Sequence, residues 1–510
     1  MAVALMAFLP YLSNPRLDPS EPPLVKPRVP LVGHLLGLMT SRVSYFSQLY
    51  ERTNLPIATL PIMNKKLYVI FSAPLQQSAM RSKNMEPEAF TANFIPRIFG
   101  IKQGTLDAML GRDGIHESMS GPMQRVFQTT LSGDALHDLT LSTMDCVADT
   151  LNIIGGRGLE VPNLYMWLRE VMSYATSVGL FGRENNPYGK DPTVIDAQWD
   201  FADYMAPLML GILPSIVARS AHLARTKVSN ALEPYYRQQL DQDSQTSAFV
   251  RTRTNLIRQY GLPIDEISKN EVSVMLAATS NTIPILFWYI SNIFLRPDLI
   301  RDLRSELTQA LELQRPSGTE AIITIKLAHL ETKCPLLTSC YRESVRLASQ
   351  IITFRQARED TVVTDGGSGG GRSYLLRAGS TVMMPARAVH RHRPIWGADA
   401  DEFDARRFVV GDDDDEGDAE GRRRLRKVAW VPFGGGRHLC PGRRFALAEN
   451  LGFAAVLVLG FEVVGLLAER IRMVESRMGE AAKPAGGWEG GPVVVGRREG
   501  WEGVTWKFAL

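Results

Sequence analysis

Gly434, Gly435 and Gly436 lead through Arg437, His438 and Leu439 to Cys440, and Pro441 and Gly442 follow at once. No other stretch of the chain restricts the fold so tightly. Gly434, Gly435 and Gly436 let the main chain approach a flat ligand closely. Residues 443–450, Arg-Arg-Phe-Ala-Leu-Ala-Glu-Asn, contain no helix breaker and read as a helix that begins just past the sulfur. A thiolate inside a protein needs main-chain N–H groups within reach, positive charge nearby and the positive end of a helix. This segment can supply all three. The fold must then present one cysteine, on a glycine loop, to a buried flat ligand. The alternative is a structural cysteine in a glycine turn, because cysteine is often a small buried hydrophobe.

Size and composition accommodate such a scaffold. At 510 residues, 45% hydrophobic and 22% charged, the chain can bury a large core, and length alone suggests two or more domains. A net charge of +3 is too small to argue for nucleic acid, and no basic stripe with interleaved aromatics is present. Cys146, Cys334, Cys340 and Cys440 include no Cys-x-x-Cys pair, which speaks against a disulfide framework or a zinc site. A reducing compartment follows for the catalytic domain.

Residues 1–12 are apolar, but a bilayer-spanning helix needs about 20 such residues, and no basic region precedes them. A stiff proline-rich lead, Pro22 through Pro30 to His34, comes next. Residues 60–71 read as a β-hairpin around Asn64, Lys65 and Lys66, and long helical patterns fill 132–330. The glycines of 366–371 and the acidic run 412–416, followed by the basic run 422–427, read as solvated surface insertions. A docking role for the basic run toward an acidic reductase is the alternative.

The spacing Phe433-x-x-Gly436-x-His438-x-Cys440-x-Gly442 resembles the haem-thiolate signature of the cytochrome P450 family. The resemblance implies the cytochrome P450 fold, mainly α with a small β region, in which Cys440 ligates the iron of heme b. It implies a single haem-binding domain over 35–510. Residues 1–34, the short apolar N-terminus and proline-rich hinge, resemble an abbreviated membrane anchor, so the endoplasmic reticulum membrane, cytosolic face, is the expected location.

A second landmark is Glu343-Ser344-Val345-Arg346, whose Glu and Arg share one helix face at i and i+3 and can pair. By itself such a pair is common on protein surfaces. Its order before Phe403-Asp404-Ala405-Arg406-Arg407-Phe408 and the cysteine loop resembles the family's buried triad, here Glu343, Arg346 and Arg407. Ala405 stands where the family usually has proline. Two haem propionates need cations. His438, two residues before the cysteine, is one candidate, and Arg355, five residues before Asp360, is the one the resemblance implies; Arg125 or Arg112 would be a third contact, though nothing in their spacing is distinctive.

Residues 271–295 form a long apolar pattern interrupted by Thr279, Ser280, Asn281 and Thr282, which argues for a core helix over a membrane span. Pro284 has no N–H, so the carbonyl of Ser280 loses its helical partner and the helix must bend there. In the resembled family this helix binds oxygen, and an acid usually precedes the threonine. Asn281-Thr282-x-Pro284 resembles instead the branch of sterol 7α-hydroxylases and prostacyclin synthase, with Asn281 and Thr282 as candidate catalytic residues. Asn can position oxygen or a peroxide by hydrogen bonding but cannot carry a proton as a carboxylic acid does.

What the resemblance implies is a monooxygenase acting on a hydrophobic small-molecule substrate, a sterol, terpenoid or other natural-product intermediate. NADPH would serve indirectly, through NADPH-cytochrome P450 reductase, because this chain has no flavin or nicotinamide fingerprint. Two alternatives stand beside it: an isomerase or dehydratase that rearranges a peroxide without NADPH, and a non-catalytic haem sensor or electron carrier.

Overall fold

The computed structural model describes residues 16–29, 33–62, 65–312, 321–366, 371–409, 419–476 and 479–510. The apolar stretch 1–12, the acidic run 412–416 and glycines 367, 369 and 370 lie outside the described residues.

The elements that position the site are nine helices: α1 (Ala73–Arg81), α2 (Gly133–Asn152), α3 (Leu164–Phe181), α4 (Ile264–Thr279), α5 (Thr282–Phe294), α6 (Pro335–Ala348), α7 (Ala386–His390), α8 (Ala419–Ala429) and α9 (Arg443–Gly460). Five strands accompany them: β1 (Ile57–Ile62), β2 (Lys65–Ile70), β3 (Met85–Glu86), β4 (Ile352–Ala357) and β5 (Thr381–Pro385), in one sheet of order β1-β2-β5-β4-β3.

Helix α9 anchors the architecture. Its second half, from Leu451 to Gly460, is entirely buried and nearly all aliphatic or aromatic, so it has no polar face and must be surrounded. It packs on α2, α5 and α6. Gly452 makes that approach close, since a Cβ there would lie 2.7 Å from Met144 of α2. The cysteine loop therefore enters a helix fixed on several sides, and its sulfur sits at a rigid place.

The apolar pattern around Pro284 folds into two successive pieces, α4 and α5, separated at Ser280 and Asn281. The interruption falls where the missing N–H of Pro284 leaves the Ser280 carbonyl without its helical partner. The combined stretch Ile264–Phe294 is long and apolar enough to cross a membrane, yet 61% of its apolar window is buried inside the protein, as suits a core helix.

The β1/β2 hairpin pairs Ile62 with Lys65 and Pro61 with Lys66. Lys65 and Lys66 are thus strand residues, not the turn anticipated from sequence, and the turn at 63–64 lies outside the described residues. Strand β4 starts four residues after α6 and sets Arg355 opposite Val382 of β5. Helix α6 opens on Pro335, which has no N–H to satisfy, and the carboxylate of Glu306 accepts the next two, from Leu336 at 2.7 Å and Leu337 at 2.9 Å.

Candidate active site

The glycines ahead of Cys440 are required by a neighbour, the C-terminal end of α1. A Cβ on Gly435 would stand 2.6 Å from Met80 Sδ, and one on Gly436, at φ +65°, would run into the Met80 carbonyl oxygen. Gly434 takes φ +71°, and a Cβ there would make only ordinary contacts, with the His438 carbonyl at 3.8 Å and Thr353 Oγ1 at 3.9 Å. So two of the three glycines let the loop lie on α1, where sequence reasoning assigned all three to a flat ligand. The loop closes through the Cys440 N–H, which donates to the Phe433 carbonyl at 3.0 Å.

Beyond the sulfur, α9 begins at Arg443 as expected. Burial, the largest influence, pushes the Cys440 thiol up from its usual pKa, while the N–H groups of Gly442 and Arg443 and the Arg443 charge pull it back. Cys440 is partly exposed, whereas Cys146, Cys334 and Cys340 are fully buried. Burial pushes Cys146 up to about 11 and Cys334 up to about 12. Only Cys440 combines access with main-chain N–H groups at its sulfur and a cation close by, the guanidinium of Arg443, whose Nη1 donates to the Cys440 carbonyl at 3.0 Å.

The cation expected near a propionate is present in an unusual state. Arg355 is buried, its Nη1 donates to the Phe354 carbonyl at 2.7 Å, and its Nε has no partner. Burial holds this guanidinium below its ordinary pKa, and no carboxylate pairs with it among the described residues. Burial, then the charges of Arg355 and Arg437, hold His438 below the usual histidine range. An under-partnered buried cation beside a neutral histidine and a loop cysteine fits a flat dianionic group with a thiolate-bound metal, which is what haem is. Arg112 and Arg125 are exposed. Gln124, next to Arg125, donates to the Arg437 carbonyl at 3.3 Å and ties its helix to the loop. Phe433 packs edge-on against Trp430 at 5.9 Å.

Arg355→Met removes an unpaired buried charge, so the haem-free protein should gain about 1–3 kcal/mol while the loaded protein loses a charge-assisted contact. Haem transfer to a scavenging globin should accelerate about tenfold or more. Unchanged transfer, with a stabilised apoprotein, would mean that Arg355 faces no anion.

Glu343, Arg346 and Arg407 meet. Arg346 donates Nε and Nη2 to the two oxygens of Glu343, both at 2.7 Å, and Arg407 Nε donates to Glu343 Oε1 at 2.8 Å. The side chains of Glu343 and Arg346 are wholly excluded from solvent. The remaining Arg346 donors reach the carbonyls of His390 and Ala400 at 2.6 Å. Arg407 also pairs with Asp399 at 2.7 Å, a partner the sequence reading did not include. The turn at Ala405 forms without proline: Arg407 N–H donates to the Asp404 carbonyl at 3.3 Å, and Asp404 N–H donates to Glu343 at 3.2 Å.

Asn281 and Thr282 sit together at the break between α4 and α5. Asn281 Oδ1 accepts the Ala481 N–H at 2.9 Å, so its amide is oriented with Nδ2 as the outward donor. Trp288, two turns on, donates to the Ala482 carbonyl at 2.7 Å, and the C-terminal segment is thereby pinned along α5. No sequence signal links residue 281 to residue 481. The motif could mark the helix break but not the segment lying against it.

Residues 22–485 match the family described as Cytochrome P450. Among similar proteins, a cytochrome P450 monooxygenase of Gibberella zeae is 32% identical, over 99% of this chain and 95% of that protein. The cytochrome P450 monooxygenase nodJ of Hypoxylon pulicicidum is 30% identical over 97% of this chain and 93% of that protein. More distant is the cholesterol 7-alpha-monooxygenase of Cricetulus griseus, 25% identical over 88% of each.

Proposed function

This chain belongs to the cytochrome P450 family and is an oxidoreductase; we propose that it is a monooxygenase that hydroxylates or otherwise oxidises a hydrophobic sterol, terpenoid or related natural-product intermediate. The observation that carries the reading is the pairing of Cys440, with the N–H groups of Gly442 and Arg443 at its sulfur and the Arg443 charge nearby, with the buried, under-partnered Arg355. Heme b, bound through Cys440, supplies oxygen activation, the thiolate favouring O–O cleavage. Around it the protein binds and orients. Arg355 and His438 would hold the propionates, and Phe433 packs the cysteine loop against Trp430. Thr282 supplies a hydroxyl at the helix break, where a proton must be held near the reacting oxygen. Asn281 offers its Nδ2 as a donor to an oxygen atom there.

Electrons come from NADPH through a separate reductase. Support for that docking is the exposed basic face of α8, with Arg422, Arg423, Arg424 and Lys427. Residence at the endoplasmic reticulum membrane, cytosolic face, is supported by the proline-rich lead and by the exposed apolar run Leu210, Ile212, Leu213, Ile216 and Val217. The domain reading, a haem unit over 35–510 preceded by the hinge of 1–34, belongs to the same proposal.

One observation favours a second reading. Asn281 has no ionisable proton and its oxygen is already engaged by Ala481, which suits a site that positions a peroxide for rearrangement without NADPH. Reconstitution with reductase, NADPH and labelled dioxygen separates the two. A monooxygenase places label in the product, and Thr282→Ala raises severalfold the share of NADPH spent without product. Conversion of an endoperoxide with no NADPH and no label incorporated would favour the isomerase.

A further inference from the structure

Between the Glu343 cluster and the cysteine loop stands one imidazole. His390 ends α7 and is fully buried. Its carbonyl accepts from Arg346 Nη1 at 2.6 Å, and its Nε2 accepts the main-chain N–H of Val431 at 3.0 Å. Nε2 therefore carries no proton, and the tautomer places the proton on Nδ1, which has no partner among the described residues. Burial, then the charge of Arg346, holds this imidazole down at about 3, so it is neutral at any working pH and its acceptor is always available.

Val431 begins the run Val431-Pro432-Phe433, and the Phe433 carbonyl takes the Cys440 N–H at 3.0 Å. Pro432 has a fixed φ and no N–H, so the placement of Val431 is passed on to Phe433 with little slack. We propose that His390 is a positioning residue for haem ligation: its main chain is held by Arg346 of the Glu343 cluster, and its Nε2 fixes the Val431 N–H and through it the height of the cysteine loop. This rests on the reading of Cys440 as the iron ligand.

An apolar connection runs beside the polar one. Arg346 lies over Trp396 at 5.0 Å, and Trp396 contacts Phe408 at 5.7 Å, Phe408 contacts Trp430 at 6.2 Å, and Trp430 contacts Phe433 at 5.9 Å. These rings restrain the loop but offer no acceptor in the plane of the Val431 N–H. A buried N–H left without a partner pulls the loop toward one, at a cost larger than a single hydrogen bond contributes. The sequence reading did not single out His390, because its partners lie 44 residues before it and 41 after it.

The test compares His390→Gln with His390→Asn in the haem-loaded protein. The amide oxygen of Gln reaches the place of Nε2, whereas that of Asn stops at the place of Nδ1. In the reduced, carbon monoxide-bound state, His390→Gln should keep the long-wavelength Soret band of a thiolate-bound haem at close to the wild-type fraction. His390→Asn should shift to the short-wavelength form, with the ratio of the two lowered about tenfold. Far-UV circular dichroism reports whether helix content is unchanged. Gln keeping the band while Asn loses it, through lost ligation or lost haem, supports the inference. Any other pattern, both keeping it, both losing it, or Asn alone keeping it, overturns it. A wild-type protein without the band would overturn the Cys440 reading as well, which distinguishes the two failures.

Discussion

Glu343→Ala should yield protein that holds almost no haem. Its carboxylate accepts from Arg346 twice, from Arg407 once and from the Asp404 N–H, and its removal leaves Arg346 enclosed with only carbonyl partners. Breaking one partner out of a buried ion pair costs about 3–5 kcal/mol, because the other charge stays desolvated. Domains are stable by only about 5–15 kcal/mol in total, so this single change consumes much of the margin. The damage is directed: Arg346 also holds the carbonyls of His390 and Ala400, and His390 in turn accepts the Val431 N–H ahead of the cysteine loop.

The cluster also predicts an order. Arg346→Ala uncovers the same charge from the other side and should be nearly as harmful. Arg407→Ala should be milder, since Glu343 keeps both bonds from Arg346 and the freed Asp399 is half exposed to water. Haem content per polypeptide, with urea midpoints for the apoproteins, reads this order directly. Normal haem content in Glu343→Ala, or Arg407→Ala as the most damaging of the three, would contradict it.

What was legible in the sequence follows a physical division. The cysteine loop, the i and i+3 pair Glu343 and Arg346, and the break imposed by Pro284 were readable because each is local: a spacing, a helix face, a missing N–H. Arg407 was reachable only through family resemblance, since nothing local couples it to residue 343. His390, Asp399 and the contact of Asn281 with Ala481 were not readable, because backbone groups distant in sequence create them. The contact of Gly435 and Gly436 with Met80 was not readable for the same reason: Met80 precedes them by more than 350 residues in the chain. The hairpin turn was displaced because lysine is a poor strand former, and the pairing of Lys65 with Ile62 overrides that preference. Burial of Glu449 in α9, its carboxyl pushed well above the usual range, likewise has no sequence signal, since its polar type suggests the surface.

Cys440→Ala should abolish the thiolate spectrum while leaving a folded chain. The side chain packs in a partly exposed loop, and the loop's closing hydrogen bond uses the Cys440 main-chain N–H, which alanine retains. Loss of the sulfur therefore removes a metal ligand without opening a large cavity. Haem could still be captured by Arg355 and His438, but without the thiolate. Turnover that depends on the thiolate should fall below detection, by several orders of magnitude.

The most direct measurement is the spectrum of the dithionite-reduced, carbon monoxide-bound protein, taken for the wild type and for Cys440→Ala at equal haem content. The long-wavelength Soret band should be present in the wild type and absent from the variant. A wild-type protein that binds haem without that band, or a Cys440→Ala protein that keeps it, would contradict ligation by Cys440.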